Sequence, residues 1–233
     1  MKTTLFIPVL NEIEAMRQVL PRLPKGCCDQ ILVVDGQSRD GSAEYARSLG
    51  CDVYVQKEKG LRAAYSEGIQ HATGEVIVTF SPDGNSLPEK IPELIDKMRE
   101  GYDMVIVSRY LGGARSEDDD MMTGFGNWMF TSLINFFFSS NYTDALVMFR
   151  AYRKDIVKRL GFDKPVFFME WFEKKIRTLS GWEPQMSMRC AKARLRVGEI
   201  PGDEPPRIGG VRKITPWRSG AVLSVQILYE FLT

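Results

Sequence analysis

Over its first 110 residues the chain alternates short apolar runs with amphipathic stretches, and this alternation restricts the fold more than any other feature. TLFIPV, QILVVDG, CDVYVQ, EVIVTF and DMVIVSRY read as strands, β-branched and nearly continuous in apolar character. Between them lie helical patterns: a stretch after Asn11 with Ile13, Met16, Val19 and Leu20 on one face, SAEYARSL up to Gly50, LRAAYSEGIQHA, and IPELIDKMRE up to Gly101. Asn11 reads as the cap of the first helix, with Glu14 at the box position. Ser86 reads as the cap of the last, with Pro88 in its first turn and Glu89 three residues on. Strands buried on both faces and joined through helices predict an α/β protein, its mostly parallel sheet sandwiched by helices. Such sheets bind ligands beyond the carboxyl ends of their strands. Three polar clusters fall there: Pro8-Val9-Leu10-Asn11-Glu12, Asp35-Gly36-Gln37-Ser38 and Ser81-Pro82-Asp83-Gly84-Asn85.

The third cluster carries the most chemistry. Asp83 and Asn85, two residues apart just past a buried strand, can point their oxygens into one cleft. Hard oxygen ligands suit Mg²⁺ or Mn²⁺, which would also hold phosphate oxygens. The same residues also serve an ordinary strand-turn-helix junction. No phosphate-binding G-x-x-x-x-G-K-[ST] loop and no G-x-G-x-x-G after a strand are present, so those two nucleotide-binding modes are excluded.

Beyond residue 110 the alternation weakens. The acidic run Glu117 to Asp120 reads as a solvated loop, and residues 125–138, FGNWMFTSLINFFF, are apolar and aromatic. WFEKKIRTL reads as a helix, KARLRVGEIP as a late strand, 202–216 as a basic loop, and RSGAVLSVQILYEFL as an amphipathic helix. The two apolar helices fit a membrane interface, packing on the sheet, or the seam of a homodimer. A net charge of +1 gives no pull toward nucleic acid. Cys27, Cys28, Cys51 and Cys190 lack zinc-site spacing and read as inert thiols of a reducing compartment, while the single His71 leaves no basis for histidine chemistry. With no signal-peptide pattern and no run of ~18 apolar residues, the expectation is a cytoplasmic protein at the cytoplasmic face of a membrane.

Taken together, these motifs resemble the family-2 glycosyltransferases of the GT-A fold, in particular the branch of dolichyl-phosphate mannose synthase and related polyprenyl-phosphate glycosyltransferases. The similarity runs from Ile7 to about Lys213 and includes Ser108-Arg109-Tyr110-Leu111-Gly112-Gly113, Asp144 to Arg150 and Arg207 to Lys213. It implies a GT-A domain over residues 1–201, followed by a basic loop and amphipathic helix over 202–233. It further implies an inverting transfer of sugar from a nucleotide-sugar donor to a polyprenyl phosphate, assisted by Mg²⁺ or Mn²⁺. Pro8, Leu10, Asn11, Glu12, Asp35, Gly60 and Arg62 would line the nucleotide pocket, and Asp83 and Asn85 would hold the metal. Arg109, Arg207 and Lys213 would position the anionic partners, with Arg150 a weaker candidate. Were the acceptor a hydroxyl, Glu170 would be its base. This chain departs from the family at Gly36 and Ser81, where acids are usual, so a nucleotide-sugar-binding protein without catalysis is the reading from a different class.

Overall fold

A computed structural model describes residues 1–163, 167–176, 181–208 and 216–233, excluding the side chains of 167, 170, 174 and 216. The first half delivers the expected alternation: β1 Thr3–Val9, α1 Ile13–Val19, β2 Gln30–Asp35, α2 Ser42–Ser48, β3 Asp52–Val55, α3 Leu61–Gly68, β4 Val76–Thr79, α4 Ile91–Arg99 and β5 Met104–Ser108. The second half adds α5 Met121–Phe138, β6 Arg150–Arg153, α6 Lys154–Arg159, α7 Phe167–Ile176, α8 Trp182–Lys192, β7 Val197–Pro201 and α9 Pro216–Leu232. The strands form one sheet in the order β3-β2-β1-β4-β6-β5-β7. It is parallel except at β6, which pairs antiparallel with both β4 and β5. This is the expected mixed, mostly parallel sheet between helices.

Alternate residues along each strand feed two cores, as strand geometry requires. Leu5, Ile7, Val33, Val78 and Val105 meet α1, α2 and α4 on one face. Phe6, Leu32, Val34, Ile77 and Ile106 meet α3, α5, α8 and α9 on the other. The last helix, set apart as an appendage in the sequence reading, contributes Ile227 to this second core.

Three local expectations are corrected. The first amide of α1, on Ile13, donates to Asp40 Oδ2 at 3.0 Å, so the cap comes from the β2–α2 loop and not from Asn11. Asn11 instead takes φ +55° and its Oδ1 accepts the Arg39 N–H at 2.8 Å. Ser86 caps nothing: a 3₁₀ turn, Pro88–Lys90, with Leu87 before it, leads into α4. The acidic run is solvated only in part: Glu117 and Asp120 are exposed, but Asp120 caps α5, Asp119 accepts from Tyr110 and Asn127, and Asp118 faces Arg207.

Candidate active site

The carboxyl ends of β1, β2, β4, β5 and β7 share one edge of the sheet, and β6 enters from that edge because it runs the other way. At one end of this edge, the loops after β1 and β2 interlock. Asn11 N–H donates to Ser38 Oγ at 2.9 Å and Glu12 N–H to Ser42 Oγ at 3.1 Å. Pro8, in register with Val34, and the exposed Leu10 carry this loop to the surface. A cavity of about 240 Å³ lies here, bounded by Asn11, Glu12, Ile13, Ala15, Asp40 and Ile208.

Asp35 ends β2 and is buried. Its Oδ2 accepts the Ser38 N–H at 3.0 Å, while its Oδ1 is buried with no hydrogen-bond partner. A buried carboxylate oxygen left without a donor is costly, and it leaves a free acceptor at this edge. The neighbouring departure from the family pattern, Gly36, lies close to the β1 backbone. A Cβ on Gly36 would lie 3.2 Å from the Val9 carbonyl, to which the Gly36 N–H already donates at 2.7 Å. Gly60 opens α3 at φ +103°, a conformation that favours glycine, and the Gln56 side chain donates to its carbonyl at 3.1 Å. Arg62, two residues further, is ion-paired at 3.2 Å with Glu173 of α7.

In the middle of the edge, Asp83 is buried and its Oδ2 meets Arg207 at 3.1 Å. A strap formed by residues 203–208 holds Arg207 there. Ile208 N–H donates to the Asp83 carbonyl at 2.7 Å, and its side chain covers Gly84, where φ is +93° and a Cβ would collide with it at 2.5 Å. Asn85 Nδ2 donates to Glu204 Oε1 at 3.4 Å. Asp83 and Asn85 offer hard oxygens of the type a divalent cation takes, and a guanidinium already stands against the carboxylate. Among the described residues no three acidic, histidine or cysteine side chains converge as a metal site, so a cation here would need further ligands from a phosphorylated substrate.

Arg109 is not the open cation expected. It is 9% exposed and clasped by Asp144 through Nε at 2.6 Å and Nη2 at 3.0 Å, with Glu204 at 3.2 Å on Nη1. Burial opposes its charge, but Asp144 and Glu204 outweigh that and hold it firmly protonated. Burial also pushes the Glu204 carboxyl up, against the pull of Arg109. Arg150 is likewise corrected. It is 1% exposed and donates to the carbonyls of Ala145, Val147 and Glu183 and to Ser187 Oγ, so it anchors the loop that carries Asp144. Lys213 and the Glu170 side chain lie outside the described residues. The sequence reading missed Glu204, which joins Arg109, Ser116 and Asn85, and Glu199, whose carboxylate accepts the amides of Thr143 and Asp144. Neither sits in a recognisable spacing; their one signal is an acid just before or after a strand end.

A mostly parallel sheet between helices, with a cavity at its strand ends near the carboxylate of Asp83 and the amide of Asn85, defines a protein of GT-A architecture. The sequence profile described as Glycosyl transferase family 2 matches residues 4–161, and the chain belongs to that family. A dolichol-phosphate mannosyltransferase of Pyrococcus furiosus is 36% identical over 51% of this chain and 36% of its own length. An undecaprenyl-phosphate 4-deoxy-4-formamido-L-arabinose transferase of Klebsiella pneumoniae is 31% identical over 67% of this chain and 50% of its own. The chain thus spans half or less of these curated relatives. Among solved structures, glucosyl-3-phosphoglycerate synthase of Mycobacterium tuberculosis, in complex with Mn²⁺, UDP-glucose and phosphoglyceric acid, superposes with a TM-score of 0.62 at 17% identity. That match covers 99% of this chain and 78% of the synthase and shows the shared fold. The family and the GT-A fold read from the motifs are borne out, and the two curated relatives are named for polyprenyl-phosphate acceptors.

Proposed function

We propose that this protein transfers a sugar, with inversion, from a nucleoside diphosphate sugar to a polyprenyl phosphate at the cytoplasmic face of a membrane. The observation that carries the donor half is the unpartnered Asp35 Oδ1, which suits the ring imide N–H of uracil or guanine, beside the cavity lined by Asn11 and Glu12. The acceptor half is supported by the two curated relatives, whose names specify lipid phosphates. Asp83 and Asn85 would hold Mg²⁺ or Mn²⁺, which would neutralise charge on the donor diphosphate.

The remaining steps fall to the chain itself. Arg207, 26% exposed at its side chain, can exchange Asp83 for the leaving diphosphate, where negative charge develops. Arg109 keeps Asp144 and Glu204 in place around that cleft. A lipid phosphate is already ionised at pH 7 and needs no general base, only cations to bring two anions together, a role for Arg207 and Lys213.

The test is transfer of labelled sugar from a panel of nucleotide sugars to polyprenyl phosphate, with Mn²⁺, Mg²⁺ or chelator. Label extracted into organic solvent, metal-dependent and of inverted anomeric configuration, is the expected result. Label on a water-soluble hydroxyl would move the assignment to the Glu170 reading. Neither binding nor turnover of any nucleotide sugar would sink both.

A further inference from the structure

Helix α9 is amphipathic the wrong way round for a surface helix. Its exposed positions include Trp217, Ala221, Ser224, Leu228 and Phe231, spaced three or four apart, with Arg218 and Leu232 beside them. Two of its polar side chains, Gln226 and Glu230, turn inward instead. Glu230, 3% exposed, accepts from Arg189 at 2.8 Å and from Gln185 at 2.7 Å, and Gln226 donates to the Gly181 carbonyl at 3.1 Å. Two neighbours extend the same face. Helix α5 has no charged residue and exposes Met122, Phe125, Trp128 and Phe136; it packs on α9 through Phe137 and Phe231, ring centroids 5.1 Å apart. Helix α7 exposes Phe168 and Trp171, with Phe168 stacked on Tyr229 of α9 at 5.8 Å. Phe136 and Trp217 are each 80% exposed, far more than isolated surface aromatics need explaining.

At one end this apolar face meets positive charge. An open groove of about 540 Å³ is lined by Trp171, Phe172, Lys175, Ile176 and Arg218. No carboxylate among the described residues pairs with Lys175 or Arg218, and none of the exposed, described side chains of α5, α7 and α9 is acidic. A two-fold dimer through this face would set the patch against itself, leaving those cations with no acid to meet. An anionic bilayer surface supplies both an apolar layer and the counter-charge. No helix among the described residues is long and apolar enough to cross a membrane, so the contact would lie in the interface.

We infer that α5, α7 and α9 form a monotopic membrane-docking face, with Trp128, Phe136 and Trp217 entering the headgroup region and Lys175 and Arg218 gripping phospholipid phosphate. This deepens the membrane location given in the proposed function and rests on that reading, while no step of the transfer reaction enters it.

Three of the four tryptophans, Trp128, Trp171 and Trp217, lie on this face, while Trp182 is buried. The full chain should therefore float with vesicles of phosphatidylcholine and phosphatidylglycerol, and brominated lipid should quench most of its emission. Trp128→Glu with Trp217→Glu should abolish flotation, and Lys175→Glu or Arg218→Glu should weaken it roughly fivefold each. Deleting α9 is not an equivalent test, since it would strip Ile227 and the Glu230 clasp from the core. Protein that neither floats nor is quenched overturns the inference. So does a dimer in sedimentation equilibrium that Trp128→Glu dissolves while vesicles have no effect. Both readouts need no donor and no turnover, so a failed transfer assay leaves them standing.

Discussion

Asp35 offers the sharpest measurement at the scale of single residues. Asp35→Asn keeps the shape but replaces one carboxylate oxygen with an amide, removing a charge-assisted acceptor. Calorimetry should find uridine or guanosine diphosphate bound about 10- to 100-fold more weakly, a loss of ~1.5–3 kcal/mol. An unchanged affinity would move the base elsewhere. Arg109 carries a different expectation from the one its motif suggests. Because it neutralises the fully buried Asp144, Arg109→Ala leaves that carboxylate without its partner and should cost about 3–5 kcal/mol in urea unfolding. Activity measured on such a variant would report folding as much as chemistry. At Gly84 a close side-chain contact and a left-handed φ explain why the position has no side chain, while at Gly36 the backbone contact is only tight. Gly84→Ala should therefore unfold more readily than the parent, since it meets Ile208 and keeps a left-handed φ, and a thermal melt reads that directly.

Among the elements, α8 and α9 are joined by polar contacts inside the core. Glu230→Ala would leave Arg189 and Gln185 without their acceptor and should destabilise the fold by roughly 3–5 kcal/mol, again read by urea unfolding. That interior explains what the sequence left hidden. The β1 to β5 alternation was legible because each strand is apolar on both sides and each helix has one apolar stripe. Helix α8 was not, because Glu183, Gln185 and Ser187 are buried among partners supplied by α3, β6 and α9, which no local pattern reveals. Strand β6 reads RAYR, and two arginines in four residues look like surface until Arg150 is seen bonded to four partners in the core. Asp118 and Asp119 in the acidic run were hidden for the same reason: their neutralising cations Arg207 and Arg109 are distant in sequence or on another element. Within the site, the polar clusters at strand ends were legible because topology alone brings them together. Their pairings were not.

For the whole molecule, a ligand that bridges the β2 and β4 loops should stabilise everything that depends on them. Nucleoside diphosphate with Mn²⁺ at a hundred times its Kd should add about 2.7 kcal/mol, seen as a rise in Tm that either component alone does not match. A rise from nucleotide alone, indifferent to chelator, would separate base recognition from the metal reading. The reversed strand has a bearing on how the protein is made. β1 to β4 lie within the first 79 residues and pair with one another, β4 against β1, but the partner of β4's other edge is β6, which begins at Arg150. On the ribosome, some seventy residues must emerge before that edge is covered, and until then Val76–Thr79 stays an apolar template open to another chain. Nascent chains halted between β5 and β6 should therefore aggregate, and those that include Arg153 should not; the hazard in this sheet is one of timing.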